Sequence, residues 1–348
     1  MRVLVGLSGG VDSSVAAALL LEEGHEVAAA TMKLWGGAGD SGCCSVGDVD
    51  DARRVAAQLG IDHHVFNFAE EFEHKVVAPY AEAHAVGRTP NPCIECNRHL
   101  KFRRFLDRAL RLGFEAVATG HHARIANGGP DGLPRLLRGH DAAKDQSYVL
   151  SMLTIGELVR VLLPVGELTK REVRARAAAL GLATATKPDS QEVCFVAAGP
   201  GQGPRRRFLG ERIELHPGRL VDRATGAVVG TVAAVELVTV GQRRGLGASA
   251  LGRRYALEVD AASATVMVGS EDDLLTDHVE LTGRTWVGGP LPVGAVVLAQ
   301  ASAHGRPRLV RLTDTGVRYL EGPGRRVAPG QTVALYKGDE VVGSGIAA

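Results

Sequence analysis

The chain has 348 residues, enough for two or three domains. Hydrophobic residues make up 45% of it and charged residues 23%, a balance that excludes an intrinsically disordered protein. The formal net charge is only +1, so a site for a polyanion has to be a local feature. No apolar run approaches the roughly 18 residues of a membrane span, and MRVLVGLSGG at the N-terminus meets Gly and Ser too early for a signal peptide. We therefore expect a cytoplasmic protein.

The first part of the chain alternates short apolar runs with helical patterns. The apolar runs predict strands at Arg2–Leu7, His25–Thr31, Asp62–Phe68 and Phe114–Thr119. The helical patterns lie at Val11–Glu23, Asp48–Leu59, Cys96–Leu112, Glu157–Leu162 and Lys170–Leu180. This alternation predicts an α/β fold, a parallel sheet with helices on both faces.

The pattern changes near Gly199. The segment Ala198–Pro204 is rich in Gly and Pro and predicts a linker or a mobile loop. Short β-rich runs follow it, at Gly218–Asp222, Ala227–Val232, Tyr255–Val259 and Thr265–Gly269. We expect a first domain over residues 1–203, a small mostly-β domain over 204–270 and a C-terminal β-barrel over 271–348.

A glycine-rich turn, Ser8–Ser14 with the sequence SGGVDSS, joins the first predicted strand to the first predicted helix. Glycines let a ligand approach the backbone, and a helix N-terminus offers unpaired N–H groups to an anion. Ligands of open α/β sheets bind at this carboxyl end of the strands. The chain contains no Walker loop, and no GxGxxG fingerprint follows this first strand. The turn predicts a phosphate site, and it resembles the PP-loop of the ATP pyrophosphatases, which split ATP between the α and β phosphates.

The five cysteines predict thiol chemistry or metal binding, since a cytosolic chain has no disulfide framework. Cys93 and Cys96 form a CxxC at the start of the predicted basic helix. A helix N-terminus stabilises a thiolate, so we expect Cys96, the first residue of that helix, to be reactive. Its candidate partner is the distant Cys194.

Two other interpretations of the cysteines stay open. Cys93 and Cys96 could bind zinc together with Cys43 and Cys44, although adjacent cysteines are poorly spaced as ligands. Alternatively, Cys43 and Cys44 are buried and inert.

Further motifs stand in order along the chain: GRTPNPCIECN at 87–97, KDQSY at 144–148, DSQEVCF at 189–195 and GQRRGLG at 241–247. Together with the PP-loop they resemble the tRNA-specific 2-thiouridylases, which replace the C2 oxygen of the wobble uridine (U34) by sulfur. The resemblance extends over most of the chain. It implies a Rossmann-like PP-loop domain, an adenylated base and a cysteine persulfide.

The resemblance also implies roles for individual residues. Cys96 is the implied nucleophile and Cys194 the implied persulfide carrier, with a disulfide between them as one expected intermediate. The implied ATP contacts are Gly6, Leu7, Ser8, Gly9, Gly10, Val11, Asp12, Ser13, Met32 and Gly120. The implied tRNA contacts are Asn91, Pro92, Cys93, Lys144, Asp145 and Gln146. We expect Mg²⁺ to accompany ATP, with Asp12 as a candidate contact, and no resident metal ion.

The sequence departs from the family pattern at two positions. Position 93 is Cys where Asp is frequent, so a carboxylate cannot act there, and His121 is followed by His122 where Tyr is common. A sulfur-donor protein, such as a cysteine desulfurase or a sulfur relay protein, is the expected second partner beside tRNA.

Two other functions compete with this one. A PP-loop ligase that amidates a small molecule would need neither a reactive cysteine pair nor basic β modules. A nucleotide-binding zinc module that holds RNA would contain the metal after purification.

Basic residues concentrate where RNA would lie. Residues 91–111 contain six basic and two acidic side chains, and residues 204–260 contain ten and six. Beside a nucleotide site, they predict a surface that contacts the phosphates of tRNA, with the target uridine flipped toward Cys96.

Overall fold

The computed structural model describes residues 1–35, 46–127, 132–189, 193–196, 203–246 and 254–348. The strands of the first part are β1 (Arg2–Gly6), β2 (Glu26–Lys33), β3 (His63–Asn67), β4 (Ala116–Ala118), β5 (Ala123–Ala126), β6 (Arg135–Arg138) and β7 (Val161–Leu162). Five of them form one parallel sheet of order β3-β2-β1-β4-β7. The predicted parallel sheet is confirmed.

Helices cover both faces of this sheet. They are α1 (Val11–Glu22), α2 (Val46–Leu59), α3 (69–85), α4 (92–111), α5 (Ile155–Leu158) and α6 (Lys170–Ala179). Both α3 and α4 contain a π-helical stretch. Alternate residues of β1 point to opposite faces, so Val5 shares a core with Val15 of α1 while Leu4 shares another with Phe105 of α4.

The helix predicted over Glu157–Leu162 is wrong in its second half. Helix α5 ends at Leu158, and Val161–Leu162 forms β7, which pairs with Val117 and Ala118 of β4. Pairing with the edge of a buried strand overrides the short helical pattern, because β structure depends on its tertiary neighbours.

The middle part of the chain is a small β unit. It contains α7 (Gly203–Gly210), β8 (Gly218–Asp222), β9 (Val228–Val232), β10 (Tyr255–Asp260) and β11 (Thr265–Gly269). The sheet order is β10-β11-β8-β9. Of the predicted linker, residues 203 and 204 begin α7, and the rest lies outside the described residues.

The C-terminal part forms a closed barrel. Its elements are β12 (Leu275–Thr276), β13 (His278–Trp286), β14 (Val296–Gln300), β15 (Arg308–Leu312), β16 (Gly316–Tyr319), β17 (Gly324–Arg325), β18 (Thr332–Lys337) and β19 (Glu340–Ala347). Six strands follow the order β13-β16-β15-β14-β18-β19, and pairing of β13 with β19 closes the ring. The predicted C-terminal barrel is confirmed.

A hairpin from the first part of the chain extends this barrel sheet. Strands β5 and β6 pair antiparallel, and β6 adds to β19 where Leu137 faces Glu340. The backbone N–H of Arg138 also donates to Asp339 O at 2.9 Å. The first part and the barrel therefore share a sheet, which the sequence analysis did not predict. In the part of the chain that is described, no helix is long and apolar enough to cross a bilayer.

Candidate active site

The phosphate loop, residues 7–10, joins the end of β1 to the start of α1. Gly9 has a φ of 68°, a left-handed angle that glycine adopts without strain. A Cβ atom there would lie 2.4 Å from the backbone oxygen of Asp48 in α2, so no side chain fits. Gly10 is the N-cap of α1, and no side chain of the described residues caps it. The first N–H groups of α1 are thus available to an anion.

Hydroxyl groups fix the shape of this loop. Ser13 Oγ accepts a hydrogen bond from Ser8 N at 3.2 Å and donates to Gly10 O at 3.1 Å. Thr31 Oγ1, in β2, donates to Leu7 O at 2.8 Å. Since these bonds come from α1 and β2, the loop is already formed before a ligand binds.

The remaining predicted nucleotide positions lie beside the loop. The Cε atom of Met32 is 3.4 Å from the position of a Cβ on Gly6, at the end of β1. Gly120 follows β4, and a Cβ there would come within 2.5 Å of Ser13 N. Three strand ends therefore meet the phosphate loop at one edge of the sheet. That these residues contact ATP stays a prediction.

Asp12, in the first turn of α1, is held by two residues that the sequence analysis did not assign to the site. Lys170 Nζ donates to both of its carboxylate oxygens, at 2.8 and 2.7 Å, and His122 Nε2 lies 3.0 Å from Oδ1. Burial raises the pKa of Asp12, but hydrogen bonds from His122 and Lys170 outweigh it and keep the pKa below its ordinary value. The carboxylate is therefore ionised and already paired.

Lys170 also connects the loop to the segment that precedes Cys194. Its Nζ lies 2.8 Å from Asp189 Oδ1, and Asp189 accepts hydrogen bonds from Lys144 at 2.8 Å and from Arg174 at 2.9 Å. Burial opposes the ionisation of Asp189, but the bonds from Lys144 and Lys170 outweigh it and lower the pKa to about 2. Ionic contacts thus join the phosphate loop, α6 and the Cys194 segment.

The sequence gives little sign of this cluster, because its members are far apart along the chain. The one local signal is a capping box, in which Thr169 and Glu172 bond to each other's backbone N–H groups. It places Lys170 at the first position of α6.

Helix α4 starts four residues earlier than predicted. Asn91 is its N-cap, with Oδ1 accepting from Cys93 N at 3.1 Å, and Pro92 is its first residue. Cys93 therefore lies in the first turn and Cys96 in the second. The prediction that Cys96 begins the helix and that Cys93 precedes it is wrong, because Pro92 is already the first helical residue. The helix dipole acts more strongly on Cys93 than on Cys96.

Burial is what distinguishes the two thiols. Cys96 is 7% exposed and belongs to the apolar core, whereas Cys93 is exposed. Cys194 is partly buried against the same core. The next residue, Phe195, packs its ring against four aromatic side chains: Trp35, Phe72, Tyr80 and Phe208.

The alternative interpretation of the cysteines as a zinc site falls partly outside the described residues, because Cys43 and Cys44 are not among them. Among the residues that are described, no group of three His, Cys, Asp or Glu side chains could hold a metal ion. That Asp12 contacts Mg²⁺ stays a prediction, and in this structure its carboxylate is paired with Lys170 and His122.

The segment Lys144–Gln146, predicted to contact tRNA, is bonded mainly within the protein. Gln146 Oε1 accepts from His122 N at 2.8 Å, and Lys144 Nζ bonds to Asp189. The Asp145 side chain is 8% exposed. The segment therefore lies between the Asp12 cluster and the Cys194 segment, and its contacts with tRNA stay a prediction.

Basic side chains lie exposed on α4 and on the middle unit. On α4, Arg103 is exposed and Arg104 Nε bonds to Glu71 at 2.9 Å. The exposed arginines among the described residues of the middle unit are Arg206, Arg207, Arg219, Arg223, Arg243 and Arg244. Arg253 lies outside the described residues. These positions fit a surface that contacts nucleic-acid phosphates.

Three family models match the chain. The model described as "tRNA methyl transferase HUP domain" matches residues 1–198, "tRNA methyl transferase PRC-barrel domain" matches 206–270, and "Aminomethyltransferase beta-barrel domain" matches 313–347. Among solved structures, a 4-thiouridine synthetase–RNA complex with bound ATP is 22% identical, covers 56% of this chain and 44% of that one, and superposes with a TM-score of 0.38. A score this low does not establish a shared overall fold.

The chain is similar over its whole length to proteins named tRNA-specific 2-thiouridylase. The tRNA-specific 2-thiouridylase MnmA of Mycobacteroides abscessus is 44% identical over 366 residues, covering 99% of both chains. That of Thermobifida fusca is 44% identical, over 99% of this chain and 94% of its own. That of Chloroflexus aurantiacus is 45% identical, over 99% and 97%. Identity at this level over the whole length, together with the glycine loop and the cysteine helix, shows that the chain belongs to the tRNA-specific 2-thiouridylase family.

Proposed function

We propose that this enzyme uses ATP to replace the C2 oxygen of U34 in tRNA with sulfur. The observation that carries the proposal is the phosphate loop, where Gly9 excludes a side chain and the N-terminus of α1 is uncapped by the described residues. The full-length likeness to the curated 2-thiouridylases supports the choice of tRNA as substrate.

The first step activates the base. The uridine O2 attacks the α-phosphorus of ATP, an O–P bond forms, and pyrophosphate leaves. The helix N-terminus and the glycine backbone stabilise the phosphate charge that develops during this displacement. Mg²⁺ would enter with the nucleotide and neutralise its phosphates, and the described residues supply no separate site for it.

The second step transfers sulfur. The terminal sulfur of a persulfide on Cys194 bonds to C2, and the C2–O bond breaks, so that AMP leaves with the former uridine oxygen. Two routes are open for Cys96. In the first it adds to C2 as AMP leaves, the persulfide sulfur then displaces it, and an external thiol cleaves the S–S bond to Cys194. In the second it attacks Cys194 Sγ. The second route breaks the S–S bond, leaves sulfur on C2 and forms a Cys96–Cys194 disulfide. An external dithiol then reduces this disulfide.

The remaining parts of the proposal concern the domains and the partners. The first domain, residues 1–203, would hold the nucleotide and both reactive thiols, and the domains over 204–270 and 271–348 would bind tRNA with it. A cysteine desulfurase or a sulfur relay protein would load Cys194. We place the enzyme in the cytoplasm.

Nucleoside analysis of tRNA from a deletion strain tests the function. The strain should lack 2-thiouridine at position 34, and the wild-type gene should restore it while a Cys96→Ser gene should not. Unchanged 2-thiouridine in the deletion strain, with a different nucleoside or small molecule lost, would refute the proposal.

A further inference from the structure

Arg138 lies where the first part of the chain meets the barrel. It is the last residue of β6, in the hairpin that extends the barrel sheet. Its side chain is 19% exposed, so the guanidinium needs partners within the protein. One set of partners belongs to the barrel, and the other is Asp145 of the segment Lys144–Gln146.

The barrel supplies one set of contacts. Arg138 Nη2 donates to Gln300 Oε1 of β14 at 2.8 Å. The guanidinium also stacks over the ring of Tyr336 in β18, 3.7 Å from its centroid. Gln300 is itself fixed, because its Nε2 donates to Ser302 O and Ala303 O. The barrel therefore sets the direction of the arginine side chain.

The second partner of Arg138 lies in the segment Lys144–Gln146. Arg138 Nη1 donates to Asp145 Oδ2 at 2.8 Å. Asp145 also accepts from Gly139 N at 2.9 Å, from Ser147 N at 3.0 Å and from Ser147 Oγ at 2.9 Å. With four donors around a carboxylate that is 8% exposed, Asp145 holds the backbone of its segment in one conformation.

The residues on either side of Asp145 in the sequence contact two parts of the candidate active site, the Cys194 segment and the Asp12 cluster. Lys144 bonds to Asp189, five residues before Cys194. Gln146 accepts from the backbone N–H of His122, whose ring contacts Asp12 of α1. A shift of Asp145 would therefore move both neighbours.

We propose that Arg138 is a positioning residue that fixes the segment Lys144–Gln146 for tRNA, using the barrel as its anchor. This inference rests on the proposed function, because it takes that segment as a tRNA contact. An arginine suits this role, since its planar fork makes the bonds to Asp145 and Gln300 at once while its face stacks on Tyr336.

The test compares three variants of the full chain. Arg138→Met keeps the apolar stem and loses the fork, and Arg138→Lys keeps the charge. The matched control is Arg135→Met, on the same strand, which removes a bond to Glu340 of β19 instead. For Arg138→Met we expect faster hydrogen exchange at the amides of residues 144–147. We also expect a tRNA Kd at least about tenfold higher, the loss of one charge-assisted contact, while the Kd for a non-hydrolysable ATP analogue changes less than about twofold. Arg138→Lys should give values between those of Arg138→Met and the wild type, and Arg135→Met should match the wild type in both measurements.

The two readouts separate this inference from the proposed function. If wild-type protein does not bind tRNA, the proposed function fails, and the exchange data still show whether Arg138 orders the segment. Unchanged exchange at 144–147, or an unchanged tRNA Kd in folded Arg138→Met, would overturn the positioning role. Arg138 would then serve only to connect β6 to the barrel. If Arg138→Met does not fold, Arg138→Lys decides by the same two measurements.

Discussion

At position 9 a single backbone angle limits the choice of residue. The φ of 68° costs a non-glycine residue about 1–3 kcal/mol, and a Cβ would also strike the backbone of Asp48 in α2. We expect Gly9→Val to abolish binding of an ATP analogue, measured by calorimetry, and to lower the melting temperature, because α2 must move. Gly24→Val is the control, since Gly24 also has a left-handed φ, 79°, and a Cβ there meets no described atom within 4 Å, so this variant should keep its affinity. Normal affinity in Gly9→Val would show that the loop does not bind phosphate.

The thiols give a second prediction at this scale. Cys96→Ser and Cys194→Ser should each abolish thiolation, whereas Cys93→Ser should keep substantial activity, as measured by 2-thiouridine formed per turnover of ATP. The basis is the family resemblance, because the helix dipole favours Cys93 and the burial of Cys96 in apolar surroundings opposes its ionisation. Cleavage of ATP should persist in both inactive variants, since the phosphate loop does not depend on a thiol.

Oxidation of the wild type provides the independent check. Peptide mapping should find a Cys96–Cys194 bridge, which requires Cα atoms within about 7 Å in one conformation. A dominant Cys93–Cys96 bridge, with Cys194→Ser still active, would contradict this assignment and indicate a local redox pair.

At the scale of elements, the link from α1 through α6 to the Cys194 segment depends on pH. The pKa of Asp189 is lowered from 3.8 to about 2 in the folded protein, because Lys144 and Lys170 outweigh its burial. A folded pKa below the unfolded one stabilises the fold above the unfolded pKa, and this contribution is lost as pH falls through the folded pKa.

Urea unfolding of wild type and Asp189→Asn measures this contribution. The wild type should be the more stable protein near neutral pH, and its advantage should shrink between pH 3.8 and about pH 2. A difference that does not change over this range would mean that the carboxylate contributes through its shape and not through its charge.

The sequence predicts those elements whose signals are local. The glycine at position 60 ends α2, and the alternation from β1 to β4 is read directly from apolar runs. A local signal also marks the start of α4, since Asn91 followed by Pro92 is a typical N-cap and first helical position. The prediction placed this start four residues too late, at Cys96. The residues of the phosphate loop can likewise be identified from their own short sequence, SGGVDSS.

What could not be predicted depends on partners that are distant in sequence. Strand β7 is two residues long and exists only because β4 lies beside it. Lys170 reaches Asp12 across 158 positions, and Arg138 reaches Gln300 across 162. No local pattern marks a lysine or an arginine for such a contact, so these residues emerge only from the folded chain.

For the whole molecule, the arrangement of charge predicts how tRNA binding responds to salt. If Z phosphates are contacted, log K should fall with log[salt] at a slope of roughly −0.7Z to −0.9Z. Reversing Arg103 and Arg104 on α4 to Glu should make this slope shallower in filter-binding titrations. The matched control reverses Arg53 and Arg54, adjacent exposed arginines on α2, and should leave the slope unchanged. A salt-independent affinity in the wild type would refute the basic surface.

The β5–β6 hairpin gives the molecule a particular order of assembly. A ribosome synthesises residues 123–138 long before β19, the strand that they join, which ends at residue 347. Until synthesis is nearly complete, β6 presents an unpaired strand edge, and Arg138 lacks both Gln300 and Tyr336. We therefore expect the nascent first part of the chain to be prone to aggregation, and premature termination within the barrel to leave that edge exposed. The last strand to be made completes the sheet and closes the barrel that carries Gln300 and Tyr336, the two side chains that hold Arg138.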